Sequence, residues 1–187
     1  SRVGLTPESV RSLTAAGHEV LVETQAGIGS GCTDTDYVDA GAQIVASAKN
    51  VFDRAELIVK VKEPELQECA LLRPHHVLFT YLHLAAVPDI AVALCESGCT
   101  AIAYETVTAP GGGLPLLKPM SAVAGRLAVQ AGATALQKSQ GGSGILLGGA
   151  AGMAPARVLI LGAGVAGSNA AEVAVGMQAD VTIVDRT

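Results

Sequence analysis

The stretch Arg157-Val158-Leu159-Ile160-Leu161-Gly162-Ala163-Gly164-Val165-Ala166-Gly167 decides how this chain is read. Residues 157–161 form an apolar run closed by glycine, the pattern of a strand covered on both faces. Gly162, Gly164 and Gly167 then follow the G-x-G-x-x-G spacing, residues 168–177 make a helical run, and a second apolar strand, 181–184, ends in Asp185. In a chain with 22 glycines that spacing alone arises easily by chance. Strand, turn, helix and second strand in that order, with Asp185 23 positions after Gly162, make it specific. Each glycine has a physical reason. The first makes the tight turn, the second lets a pyrophosphate approach the backbone, and the third lets helix and strand pack closely, so that phosphate meets the positive end of the helix. The unit is expected to hold a dinucleotide through Gly162, Gly164, Gly167 and Asp185. A carboxylate at Asp185 favours NAD, because it repels a 2′-phosphate, whereas Arg186 beside it is a group that accommodates one.

Outward from this unit the chain keeps an alternating rhythm. Thr6-Pro7-Glu8 reads as a helix start, with proline at the first helical position, and Gly17 as its stop. A strand is expected at 18–23, a helix capped by Asp34 up to position 40, a short strand at 43–46 and a helical turn or two at 48–54. Strands at 57–61, 77–81 and 100–104 follow, separated by helices at 65–72 and 88–97. Strands alternating with helices imply crossovers and parallel sheets, so the fold class is α/β, with two Rossmann-like lobes. The turn-rich segment Ala109-Pro110-Gly111-Gly112-Gly113 precedes a run of small residues from Ser121 that is expected to form a helix connecting the lobes.

Composition narrows the functional classes. Half of the 187 residues are hydrophobic and the mean hydropathy is +0.44, enough apolar material for a core, which excludes disorder. A formal net charge of −5 offers no electrostatic footprint for nucleic acid or an anionic membrane surface. No apolar run approaches the roughly 18 residues of a membrane span, and no basic-then-apolar leader stands at the start. Cys32, Cys69, Cys95 and Cys99 contain no C-x-x-C pair and no nearby histidine cluster, so no metal site is expected and the thiols read as those of a reduced, cytoplasmic protein. The first residue is not methionine and the last residues follow directly on a strand pattern, so the chain reads as a piece of a longer protein.

The first half carries a less generic constellation. Lys60-Val61-Lys62-Glu63-Pro64 ends one apolar run and Leu82-His83-Leu84 lies just past another. Ligands of open parallel sheets bind beyond the carboxyl ends of strands, so Lys62 and His83 are candidates for one crevice. Lysine supplies a compact cation for a carboxylate or carbonyl, and histidine an acid/base that works near neutral pH. A lysine at a strand end is equally an ordinary solvated charge, and a histidine between leucines an ordinary packed one. Arg2, Lys60, His75, His76, Tyr104 and Glu105 read from spacing as surface or packing groups.

The segments Arg2-Val3-Gly4-Leu5-Thr6-Pro7, Lys60-Val61-Lys62-Glu63-Pro64, Phe79-Thr80-Tyr81-Leu82-His83-Leu84, Ala103-Tyr104-Glu105-Thr106-Val107, Pro119-Met120-Ser121-Ala122-Val123-Ala124-Gly125 and the Gly162 fingerprint together resemble, in order, the bacterial alanine dehydrogenase family, which shares its architecture with transhydrogenase alpha subunits. The resemblance implies a substrate domain at 1–120 without its first strand, a connecting helix at 121–139, and the start of an NAD-binding domain at 140–187. It implies that Arg2 and Lys62 hold the substrate carboxylate and carbonyl region and that His83 is the acid/base. It also implies that Ser121 contacts the cofactor, that Val165 and Ala166 lie in the pyrophosphate turn, and that Asp185 holds the adenosine ribose. The implied reaction is reversible, NAD-dependent oxidative deamination of L-alanine to pyruvate and ammonia by a homohexamer. In the family a catalytic aspartate and most nicotinamide contacts come from a second half, so the chain alone is expected to be inactive. The alternatives are the NAD-binding part of a proton-translocating transhydrogenase and a truncated, non-catalytic nucleotide-binding module.

Overall fold

The structure, a computed structural model, describes residues 2–186. It divides into two compact units, the first ending at Val107 and the second beginning at Thr108.

In the first unit, Thr6 is extended and its hydroxyl accepts the Ser9 amide, Pro7 fills the first helical position and Glu8 the first turn, and helix α1 (Pro7–Ala15) begins there. Strand β1 (Leu21–Glu23) pairs in parallel with β2 (Gln43–Val45), and α2 (Asp34–Asp39) lies between them in the chain. The cap of α2 is Thr33 rather than the expected Asp34. Thr33 takes the extended backbone of an N-cap and forms a capping box with Asp36, while Asp34 already accepts the Thr24 hydroxyl at 2.6 Å and the Gln25 amide at 2.7 Å. Val10, Val20, Val22 and Tyr37 bury themselves around this two-stranded sheet.

Helix α3 (Ala48–Arg54) leads into a second parallel sheet, ordered β3-β4-β5, from β3 (Leu57–Val59), β4 (Val77–Thr80) and β5 (Thr100–Ala103). Helices α4 (Leu66–Cys69) and α5 (Pro88–Ser97) make the crossovers. Ile58, Leu78, Phe52, Leu82, Ile90 and Leu94 fill the core between sheet and helices. Cys69 is buried among them, and burial pushes its thiol up. The strands are shorter than their apolar runs, because the chain bends out of the regular ladder at the carboxyl ends. The Val61 carbonyl still accepts the Tyr81 amide at 3.3 Å, beyond the last paired residues.

The second unit holds α6 (Lys118–Ala135), β6 (Arg157–Leu161), α7 (Val165–Gly176) and β7 (Asp180–Val184), with β6 and β7 parallel and in register from Arg157 opposite Asp180 to Leu161 opposite Val184. Val129, Leu147, Ile160, Ala170 and Ala174 form its core. A β-carbon placed on Gly125 would lie 2.0 Å from the Ala166 carbonyl oxygen, so α6 and α7 touch backbone to backbone there. Arg126 ties the same faces together by donating to Asn169 at 2.9 Å and Glu172 at 2.8 Å. The small residues of α6 thus pack against α7 inside the second compact unit, which begins at Thr108. Among the described residues no helix is long and apolar enough to cross a membrane, and no group of three or more His, Cys, Asp or Glu side chains is placed to hold a metal ion.

Candidate functional site

The glycine-rich turn follows β6 directly. Gly162 has φ +100°, a conformation L side chains rarely adopt, and its amide donates to the Val184 carbonyl at 2.7 Å, closing the turn onto β7. Gly164 is the extended N-cap of α7, and the helix begins at Val165, three residues earlier than the run at 168–177 indicated. Val165, Ala166 and Gly167 therefore form its first turn, where amides lack helical acceptors and the dipole favours an anion. A β-carbon on Gly164 would meet no atom within 4 Å, whereas one on Gly167 would lie 1.8 Å from the Gly162 carbonyl oxygen. The second glycine thus faces open space of the kind a pyrophosphate needs, and at the third any side chain is excluded by packing against the Gly162 carbonyl. Asp185 closes the other side, its carboxylate accepting the amides of Ala163 and of Arg186, the latter at 2.6 Å. Ser121 lies one helical turn before Gly125, on the α6 face that meets Ala166. The residues present fit a dinucleotide, with the helix start for the diphosphate and Asp185 for a ribose.

In the first unit, the carboxyl ends of β3, β4 and β5 carry a cluster of polar groups. Lys60 forms a half-buried ion pair with Glu68, so its charge is engaged locally. Lys62 is more exposed, and its ammonium lies 3.6 Å from the Glu63 carboxylate. The other oxygen of Glu63 stands 3.3 Å from Nδ1 of His83. Glu63 therefore joins the two residues that the strand ends were expected to bring together. The loop is held rigidly, because the fully buried Thr80 hydroxyl donates to the Lys62 carbonyl at 2.8 Å and Pro64 is fully buried.

His83 has φ +47° and ψ +35°, a left-handed conformation uncommon outside glycine. The Glu105 carboxylate, in the 3-10 turn Tyr104–Thr106 after β5, accepts the His83 amide at 2.7 Å and the Leu82 amide at 3.1 Å. Burial raises the Glu105 pKa, but the amides of His83, Glu105 itself and Leu82 outweigh it and hold the carboxyl below the ordinary glutamate value. Glu63 is also lowered, chiefly by its own backbone amide, with Lys62 and His83 adding to the effect against partial burial. The Tyr81 ring stacks on the His83 ring, centroids 5.8 Å apart, and packs edge-on against Tyr104 at 5.0 Å. Burial pushes the Tyr81 hydroxyl up while the Arg2 guanidinium acts in the opposite direction, which puts Arg2 within electrostatic reach of the ring beside His83. Gly4 brings this N-terminal segment onto β3, where a β-carbon would lie 3.1 Å from the Val59 carbonyl oxygen.

Lys62 and His83 are thus linked through Glu63 at the carboxyl ends of β3 and β4, and Arg2 acts on the Tyr81 that stacks on His83, with Glu63, Tyr81 and Glu105 as partners that spacing did not single out. The signals were an acid directly after the lysine at a strand end and an acid just past the end of a neighbouring strand, where the topological rule points. His75 and His76 stay outside the cluster; His76 is buried, accepts the Arg73 amide at 3.0 Å, and burial lowers its pKa.

Fold and site define a class: an α/β protein with a βαβ unit built on a G-x-G-x-x-G turn and a second α/β unit that presents Lys62 and His83 beyond its strand ends. The family described as "Alanine dehydrogenase/PNT, N-terminal domain" matches residues 1–124, and "Alanine dehydrogenase/PNT, C-terminal domain" matches residues 128–187. The chain belongs to the alanine dehydrogenase/PNT family. It is 55% identical over 186 residues to alanine dehydrogenase of Halomonas elongata, covering 50% of that protein, and 56% identical over 185 residues to that of Bacillus subtilis, covering 48%. A solved L-alanine dehydrogenase matches with a TM-score of 0.89 and 56% identity over 97% of this chain and 50% of its own. A transhydrogenase from Sinorhizobium meliloti matches at 0.77 and 29% identity over 100% of this chain and 53% of its own. The chain spans about half the length of the curated relatives it matches.

Proposed function

We propose that this chain carries the substrate-handling unit and the first βαβ of the nucleotide unit of an NAD-dependent alanine dehydrogenase, which converts L-alanine reversibly to pyruvate and ammonia. The observation that supports this reading best is the linking of Lys62 and His83 through Glu63 at the carboxyl ends of β3 and β4, with Arg2 acting on the Tyr81 that stacks on His83. Arg2 and Lys62 supply positive charge for the substrate carboxylate and carbonyl oxygen, so that negative charge developing on oxygen meets fixed cations. His83 is the acid/base. A carboxylate accepts only, so the ring nitrogen facing Glu63 carries the proton and Nε2 is left to exchange one with substrate or water. Bound NAD would supply the hydride acceptor for the Cα–H of alanine with its amine unprotonated, the nitrogen lone pair forming the C=N bond of an iminium as the hydride leaves. Water then adds to the iminium carbon with its proton passing to His83; His83 returns that proton to the carbinolamine nitrogen, and as ammonia leaves, the hydroxyl proton passes to the freed His83, giving pyruvate.

On the nucleotide side, Gly162, Gly164, Val165, Ala166 and Gly167 hold the pyrophosphate, Asp185 the adenosine ribose, and Ser121 contacts the cofactor from α6. Asp185 selects NAD over NADP by repelling a 2′-phosphate. We place the protein in the cytoplasm as a homohexamer, following the resemblance, with alanine and pyruvate as its small-molecule partners and neither nucleic acid nor membrane among them.

The test is a spectrophotometric assay of the full-length gene product with alanine and NAD beside a His83→Ala variant. The variant is expected to lose about 10²–10⁴-fold in kcat; an unchanged rate removes His83 from the mechanism. The 187-residue chain alone is expected to form no NADH from alanine, and detectable turnover would break that expectation. Hydride transfer from NADH to an NADP analogue, with no activity on alanine, would instead favour the transhydrogenase reading, against which the higher identity to alanine dehydrogenases weighs.

A further inference from the structure

We propose that Glu63 and Glu105 are positioning residues that clamp His83 from two sides, Glu105 through the backbone and Glu63 through the ring; this rests on the reading of His83 as the acid/base. His83 is one of three non-glycine residues with positive φ among those described. Left to itself, an L residue disfavours this conformation, because its β-carbon crowds the following carbonyl. Something must compensate. The two amides that lead into the left-handed residue, those of Leu82 and His83, converge on one acceptor. The Glu105 carboxylate accepts both and so anchors the backbone on the N-terminal side of the strained position. Glu105 is delivered there by the sheet: β5 pairs with β4 as far as Ala103 opposite Thr80, and the 3-10 turn that follows swings residue 105 across the end of β4. The Thr106 hydroxyl, donating to the Ala103 carbonyl at 2.9 Å, braces that turn.

The second half of the clamp acts on the ring. With the backbone fixed, His83 leads the 3-10 turn Leu84–Ala86 and its imidazole lies over Tyr81 with Nδ1 toward Glu63. Glu63 is itself fixed by the buried Pro64 after it and by the Thr80 bond to Lys62 before it. One ring face, one ring nitrogen and the backbone are thereby all constrained, while the side chain stays about half exposed. A carboxylate that fixes the tautomer leaves Nε2 unprotonated and ready as a base, and it steadies the imidazolium that forms after proton uptake. Deleting either carboxylate leaves His83 present but misplaced, and small displacements of a catalytic group are costly to rate.

The experiment uses the full-length gene product with Glu63→Ala, Glu63→Gln, Glu105→Ala and Glu105→Gln variants, each assayed for kcat and for KM of alanine and NAD. Solid-state 15N spectra of histidine-labelled protein report the His83 tautomer, assigned by difference against His83→Asn, and hydrogen exchange reports the Leu82 and His83 amides. Each alanine variant is expected to lose about tenfold or more in kcat with KM for NAD unchanged. Glu63→Ala loses the Nδ1-protonated tautomer and Glu63→Gln, which keeps an acceptor, restores it. Glu105→Ala speeds exchange at both amides, and Glu105→Gln does so less. Wild-type kcat in both alanine variants, or an unmoved tautomer and unmoved exchange, overturns the clamp. The glutamine variants keep volume and one acceptor, so the proposal stays exposed to failure even where an alanine variant does not fold. If His83→Ala keeps full activity, it is the acid/base reading that has failed, whereas slow His83→Ala beside fully active glutamate variants rejects the clamp alone.

Discussion

Strands β4 and β6 read alike as amino-acid strings, Val77-Leu78-Phe79-Thr80 and Arg157-Val158-Leu159-Ile160-Leu161, yet the fold treats them differently. β4 pairs with β3 on one edge and β5 on the other, and Leu78 is fully buried. β6 pairs with β7 alone among the described residues, and Leu159 and Leu161 are 62% and 78% exposed. An apolar run states what a strand needs on its faces and edges; whether it finds that depends on which neighbours the chain supplies. The first unit supplies them and the second, in these residues, does so on one side. The same difference separates the His83 cluster from the glycine-rich turn. Around His83 nearly every group has a packed partner, while a β-carbon on Gly164 would meet open space.

The contrast can be broken or sharpened by substitution. Leu78→Ala, in the fully covered strand, is expected to destabilise the first unit by about 2–5 kcal/mol in chemical denaturation; a loss as small as that of an exposed residue would mean that β4 is not the packed centre it is described to be. Gly167→Ala comes next, with a cost of about 1–3 kcal/mol from forcing α7 off β6, and NAD binding measured by calorimetry should fall with it. Gly164→Ala is its partner experiment, leaving the melting temperature near that of the wild type while weakening NAD binding, since the added methyl group meets only the space the ligand would use.

Glu105→Gln tests the packed His83 cluster through pH. The folded-state pKa of Glu105 lies below its unfolded value, so its contribution is present above the ordinary glutamate range, about 4.3, and is lost as pH falls through the lower folded value. The wild type should exceed the variant by about 1 kcal/mol at pH 7, allowing for partial exposure, and the two denaturation midpoints should converge in acid. A gap that widens as pH falls would reverse the assigned sign. The smallest expected effect, measured on the 187-residue chain itself, is that of Leu161→Ala, within about 0.5 kcal/mol, accompanied by less self-association in light scattering because an exposed apolar strand residue has been shortened.

Much of this arrangement was legible in the chain. Proline at the first turn of α1 and α5, the G-x-G-x-x-G spacing after β6 and the alternation of strands and helices are local facts, set by backbone chemistry and periodicity within a few residues. That Lys62 and His83 lie just past strand ends was also legible, since each follows an apolar run. Their partners were harder. Glu105 lies 22 positions after His83, and nothing in its neighbours distinguishes it from a solvated acid. The cap of α2 was misplaced for a related reason: Thr33 and Asp34 are both good caps, and the hydrogen bonds from Thr24 and Gln25 that occupy Asp34 come from a distant loop. The small residues of α6 were visible as a pattern, but a pattern of small residues does not say which backbone it approaches.

Sequence alone was enough for the class of fold, the family resemblance and the glycine turn between β6 and α7, because these rest on short-range order: 3.6-residue and 2-residue periods, turn glycines and motifs contiguous in the chain. Register and packing settled the rest. Parallel pairing of β4 with β5 carries Glu105 to the amides of Leu82 and His83, the left-handed backbone at His83 brings its ring to Glu63, and close contact at Gly125 places α6 within the second unit. Such contacts join residues far apart in the chain, and their energies depend on distances and angles that no local pattern encodes.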